Sequence, residues 1–418
     1  MRVIGAYQRL LNNLGLGDIS MKIFTCKNDI SSNKAIVVDD MFLTTEMPTT
    51  AGSKMLDNYK SLFEAEVITR LKSNGYNILG KADVGEFAID LLGETSYNGT
   101  ISNDGVLVNA SAEILKTENV LATLNLDVNG APRRAAAING LVSIKPTYGT
   151  VSRFGLVPVA CSGETVSVMA KTVDNLKEVL YSIYGHDDKD GTSLSEEICV
   201  NAKNSTPNLK KKVAILKSML KGDESVLKNI ENFKNILTQN GFEVVEIDDE
   251  IIKNSSIAWN ILMASELCNN VSKYDGVKYG YRAQNFTNID ELYTNSRSEA
   301  FGDLIKTIIL FGSDNLSTEN YMKVYDKALR VRRVILESFK KLFESFDGVI
   351  LPCSSKSQYT TCDIEKDKYL AFSENYYTSP SSITGLPAIV VGGVQIIGNS
   401  FAENTLFDLA SLYEKGVK

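Results

Sequence analysis

Ile144-Lys145-Pro146-Thr147-Tyr148-Gly149-Thr150-Val151-Ser152-Arg153-Phe154-Gly155-Leu156-Val157-Pro158 is the most informative stretch of this chain. Its glycines, like Gly385 further on, read as tight backbone turns. Lys145 to Gly149 reads as packing at the edge of a sheet rather than as a binding loop. Just beyond it, residues 172–184 predict a helix. Thr172 stands as its cap, and Leu176, Val179, Leu180 and Ile183 form one apolar stripe. Upstream, residues 60–74 predict another, with Leu62, Val67, Ile68 and Leu71 facing inward. Short β-branched runs at 35–38, 212–216, 242–247 and 347–351 predict buried strands, the last stopping at Pro352. Long helical stretches follow at 223–239 and 318–345. Helices alternating with short apolar strands predict a layered α/β fold.

The composition excludes several function classes. With 44% hydrophobic and 23% charged residues the 418-residue chain has the balance of a soluble globular protein. Its net charge of -7 provides no dominant basic surface, so nucleic acid would be reached only through a local patch or a partner. Six cysteines (Cys26, Cys161, Cys199, Cys268, Cys353, Cys362) lack CxxC spacing. They read as buried free thiols, with Cys353 and Cys362 near enough in sequence to meet in a loop. His186, the only histidine, sits in a Tyr-Gly-His-Asp-Asp-Lys-Asp-Gly turn, so neither a Ser-His-Asp triad nor a histidine-rich metal site is expected. No metal and no cofactor is predicted.

Six blocks in a fixed order resemble the amidase-signature family, and within it the glutaminase subunit (GatA type) of the aminoacyl-tRNA amidotransferases. Besides 144–158 they are Ser53 to Tyr59, Gly80 to Ala88, Lys273 to Arg282, Asn295 to Gly302 and Ile383 to Ile389. The resemblance implies a mixed central sheet between helical layers over residues 35–418, preceded by a shortened N-terminal segment, 1–34. It places a core lobe at about 35–190 and 345–418 and a more helical lobe at about 210–345, divided near the polar stretch 186–211. Residues 1–17 carry Arg2 and Arg9 with no acid before Asp18. A mitochondrial presequence and a short surface helix both have that look.

The family's chemistry, as the resemblance implies it, uses a nucleophilic serine, a relay serine and a lysine base, with backbone amides holding the oxyanion. Carried over by motif, the lysine position holds Asp39, the relay serine position Leu107 and the nucleophile position Ala131. The separation of Leu107 and Ala131 keeps the family spacing. The former oxyanion turn is Val128, Asn129, Gly130 and Ala131, and the former substrate pocket holds Asn375 and Tyr377. Thr307 and Ile308 stand where paired arginines are expected.

Neither alanine nor leucine carries a group that attacks or relays a proton. Ser111, Thr123, Ser143 and Asp40 are the nearby candidates for a replacement, and Ser111 also reads as a helix N-cap. Arg133 and Arg134 read as surface salt-bridging residues rather than as an anion site. The expectation is a catalytically inactive structural or regulatory subunit that binds protein, in a complex with B- or C-like subunits or an intact paralogue. It would touch nucleic acid only indirectly and no membrane, in the cytoplasm or the mitochondrial matrix. The alternatives are a working glutaminase subunit of glutamyl-tRNA(Gln) amidotransferase, making ammonia for Gln-tRNA(Gln) formation, and a small-molecule sensor using the vacant pocket.

Overall fold

The computed structural model describes residues 23–30 and 32–417. The helical and presequence readings of residues 1–17 lie outside them. Thirteen strands follow in chain order among the described residues: β1 Phe24–Lys27, β2 Ala35–Asp39, β3 Asn77–Ala82, β4 Ser102–Asn103, β5 Val106–Leu107, β6 Ala122–Asp127, β7 Val142–Lys145, β8 Thr165–Ala170, β9 Lys212–Leu216, β10 Glu243–Ile247, β11 Gly348–Pro352, β12 Ala388–Val391 and β13 Val394–Ile397. Eleven form one sheet in the order β1-β3-β2-β6-β8-β7-β12-β13-β11-β9-β10, and β4 pairs with β5 apart from it. β3, β2 and β6 run parallel, as do β11, β9 and β10, and the other pairs are antiparallel. The layered α/β fold expected from the alternating pattern and the mixed sheet implied by the resemblance are both present, and the sheet continues through β9 and β10 of the helical region.

Ile36, Val37 and Val38 of β2 are all fully buried. A strand covered on both faces cannot alternate polar and apolar residues, so it reads as a continuous apolar run. Each such side chain contributes about 1.5–3 kcal/mol of transfer free energy. The helix Val173–Ile183 starts at Thr172, whose side chain accepts from Asn175 N, and buries the predicted stripe. Glu224–Gln239 is capped by Asp223, and Asp326–Ser345 follows a π-helical turn at Tyr321–Tyr325.

Several expectations fail, each for a physical reason. Leu62 is 96% exposed, because the helix begins only at Glu66, and Val67, Ile68 and Leu71 alone form its buried face. β10 is half-buried, since it is the last strand of the sheet. Lys145 lies at the sheet's interior, not at its edge: β7 sits between β8 and β12. The Lys145 ammonium donates to Leu386 O at 3.0 Å, and burial lowers its pKa to about 7. The loop 186–211 contains a helix, Glu196–Lys203. Cys353 is buried and Cys362 exposed, and all six cysteines are free. No described helix is long and apolar enough to cross a membrane.

Candidate functional site

β2 and β6 run parallel side by side, with Val38 opposite Leu124. Asp39 ends β2, so its side chain emerges beside Asn125 of β6. β6 then ends at Asp127 and turns through Val128, Asn129 and Gly130 into the helix Ala131–Asn139. The C-terminal ends of parallel strands and the helix N-terminus that follows them are where open α/β sheets place their sites. Asp39 and Ala131 meet here, lining one cavity together with Gly85, Asp90, Asn109 and Asn125. That cavity measures about 20 Å³, room for roughly one water molecule.

The Asp39 carboxyl is held on three sides. Ser111 Oγ donates to its Oδ1 at 2.8 Å, Asn125 Nδ2 donates to the same oxygen at 2.8 Å, and Leu126 N donates to Oδ2 at 3.2 Å. Burial raises its pKa to about 7, against the lowering effect of these three donors, and neighbouring Asp40 raises it further. Ser111 is therefore not the N-cap that its sequence context suggests. Asn109 fills that place, accepting from Ala112 N, while Ser111 lies within the first turn and is buried against Asp39. Thr123 bonds the Asn125 side chain at 3.1 Å, and Ser143 Oγ is buried without a partner.

The turn before Ala131 is built for close approach. Gly130 has φ +82°, and a β-carbon there would lie 2.3 Å from Thr378 Cβ. Asn129 spends its amide on structure, donating to Ile89 O at 2.8 Å and accepting from Trp259 Nε1 at 2.9 Å. Val128 is fully buried. Leu107 does not line this cavity: its N–H donates to Tyr359 O at 2.8 Å, and its side chain packs in a separate apolar cluster with Ile101 and Tyr359.

The remaining predicted residues lie elsewhere. Asn375 is fully buried and pairs with the Asn260 amide at 2.9 Å. Tyr377 lines an open groove of about 530 Å³ with Asn260, Phe372 and Tyr376. Thr307 lines a further cavity with Glu86 and Tyr369, while Ile308 is buried in the core. Arg133 and Arg134 are not surface residues, since both are fully buried. Arg133 binds Asp127 through two nitrogens at 2.7 and 2.9 Å and also donates to Thr378 O. Arg134 donates to Leu91 O at 3.0 Å, with Nε and Nη2 unpaired. The sequence reading missed the aspartate only six residues before Arg133, which signals this pair. His186 does lie in a loop, its ring nitrogens bonded to Leu194 O and Asp188.

Two other residues, Asp90 and Asn125, shape the site without having been singled out from sequence. Asp90 lines the cavity and accepts from Thr95 N and Thr95 Oγ1, each at 2.8 Å. Burial first, then Glu94, raises its pKa well above the carboxylate range. A β-carbon at Gly85 would overlap the Asp90 carboxyl. Asn125 links Asp39 to Ser111, donating to Ser111 Oγ at 2.8 Å. Lys81, from β3, is a buried lysine one strand from Asp39, but it is turned away from it, toward Pro48 O and Asp40. Among the described residues no group of three or more His, Cys, Asp or Glu is placed to hold a metal ion.

The family model described as Amidase matches residues 35–105 and 117–407. The chain belongs to the amidase family. The A subunit of glutamyl-tRNA(Gln) amidotransferase from Streptococcus pneumoniae (strain 70585) is 33% identical over 406 residues, which cover 93% of this chain and 83% of that protein. Its counterpart of the same name from Pediococcus pentosaceus is 33% identical over 399 residues, 91% of this chain and 82% of that protein. A crystal structure of the Thermotoga maritima counterpart superimposes with a TM-score of 0.78 at 26% identity, covering 94% of this chain and 87% of that one. The amidase fold thus accounts for the large mixed sheet flanked by helices.

Proposed function

We propose that this amidase-family protein does not hydrolyse amides and serves as a structural or regulatory subunit that binds protein in an amidotransferase-like complex. The observation that carries the proposal is the pairing of Asp39 with Ala131 across a cavity of about 20 Å³. In our motif assignment these are the positions of the family's base and nucleophile. Ala131 has no attacking atom, and a carboxylate at Asp39 has no nucleophile to deprotonate. Loss of a nucleophile alone costs on the order of a million-fold in turnover in comparable enzymes.

Ser111 does not supply the missing group. Its hydroxyl is buried, lies within a helix and is committed to Asp39 and Asn125. A cavity of this size also argues against a ligand sensor at this position. The names of the relatives support a partner-binding role, since each is a subunit of an amidotransferase.

Two measurements test the reading. Purified protein incubated with glutamine or simple amides should release ammonia at the rate of a buffer blank. Affinity purification of the chain from its native cell should recover a B- or C-like subunit or an intact amidase paralogue in fixed ratio. Turnover at an enzyme-like rate would return the chain to the working glutaminase subunits.

A further inference from the structure

Thr307 lines a cleft of about 400 Å³ that shares no lining residue with the Ala131 cavity. It opens between the first turns of the helix Asp303–Asn315 and residues 364–369, with Glu86 and Thr95 reaching it from the core. We infer that this cleft binds a small aromatic amine, the ring against Leu304, Ile364 and Tyr369 and the ammonium on Glu86. The inference goes beyond the proposed function, since it uses neither Ala131 nor a protein partner.

The walls are apolar and come from separate parts of the fold. Leu304 packs against the larger hydrophobic cluster of the core and Ile364 against the smaller, so the cleft lies where the two meet. Tyr369, 48% exposed, stacks on Phe372 with ring centroids 6.3 Å apart, which orients its ring as one wall. Thr307 and Phe311 follow Leu304 along one helix face, so Phe311, 45% exposed, extends the apolar surface. Large apolar side chains left open to water beside a concave site mark a binding surface. The volume falls among those of known ligand sites, about 300–1,000 Å³, which are mostly apolar with a few convergent polar groups.

Glu86 sets the sign of the ligand. It is 3% exposed, and its carboxyl accepts from Ser53 Oγ on Oε1 at 2.6 Å and from Gly302 N on Oε2 at 2.9 Å. Each oxygen keeps a second lone pair for a further donor. Lys306, the cation that acts on it, pairs instead with Asp303 at 3.9 Å. Burial lifts the Glu86 carboxyl to about 7 against the pull of Ser53 and Gly302 N, so a buried acid stands here without a cationic partner. An ammonium supplies that partner through a charge-assisted hydrogen bond. Among the other lining residues Lys368 stands against Asp303 and Glu365, so a carboxylate ligand is disfavoured.

Calorimetric titration of the full chain with phenethylamine, at fixed ionic strength, tests this against ethylamine, which lacks the ring, and phenylpropionate, which reverses the charge. Saturable binding of phenethylamine is expected, with each control at least about tenfold weaker. Thr307→Trp, a change on a half-buried helix face, should fill the cleft and abolish the binding. Glu86→Gln should weaken it on the order of tenfold, the loss of one charge-assisted contact. Should Glu86→Gln fail to fold, Thr307→Trp and Tyr369→Ala, which removes one wall of the cleft, decide the matter. No saturable binding of phenethylamine, equal binding of either control, or an affinity unchanged in the folded variants would overturn the inference.

Discussion

Ser111 Oγ lies 2.8 Å from Asp39 Oδ1, joining the helix Ala110–Thr117 to the end of β2 across 72 residues of sequence. The bond takes up the Ser111 hydroxyl and places it beside an acid whose pKa burial raises to about 7. The consequences of this arrangement for pH, activity and folding can be measured.

The pH dependence of stability should carry the mark of Asp39. In the unfolded chain an aspartate titrates near 4, whereas in the folded protein Asp39 titrates at about 7. Its pKa is raised on folding, so its contribution is fully present below pH ~4 and is lost as pH rises to ~7. A shift of this size corresponds to on the order of 4 kcal/mol. Asp39→Asn cannot ionise, so thermal melts of the variant should lack that share of the fall between pH ~4 and ~7. An unchanged pH profile would mean that Asp39 is ionised in the folded protein.

Ala131→Ser should remain without ammonia release from glutamine. The new hydroxyl would face Asp39, already engaged by Ser111, Asn125 and Leu126 N, with Lys81 directed elsewhere. A nucleophile needs its base and its oxyanion donors together. Turnover appearing in the single variant would show that Asp39 serves as the base.

Gly130→Ala should destabilise the fold strongly. The left-handed backbone alone costs a side-chain-bearing residue about 1–2 kcal/mol. The added β-carbon would also meet Thr378 Cβ at 2.3 Å, where neither backbone can retreat without breaking the Thr378 Oγ1 bond to Asn129 O. Chemical denaturation would read the loss, and a change below about 1 kcal/mol would contradict this account.

Arg133 and Asp127 should behave as one unit. Removing either alone leaves a buried charge unpaired, a loss of about 3–5 kcal/mol. The apolar double variant Arg133→Met with Asp127→Leu should lose clearly less than the sum of the single changes. A double-mutant cycle in denaturant decides it, and strict additivity would mean that the pair is not coupled.

By itself the sequence determined the kind of fold. Apolar runs at 35–38, 212–216 and 347–351 became buried strands, and the stripe from Leu176 to Ile183 became a buried helix face, because burial of apolar surface acts through periodicity that a linear chain displays. The motif resemblance pointed to Asp39 and Ala131, which line one cavity although they lie 92 positions apart in sequence. The tertiary structure alone decided which polar groups are buried. Arg133, Arg134, Lys81 and Ser111 have the composition of surface or cap residues, and only partners brought from other strands and helices keep them inside. Likewise Asp39 and Asp40, adjacent in sequence, bond to different segments, Asp39 to Ser111 and Asn125 and Asp40 to Thr50, since a hydrogen bond depends on where two distant segments meet.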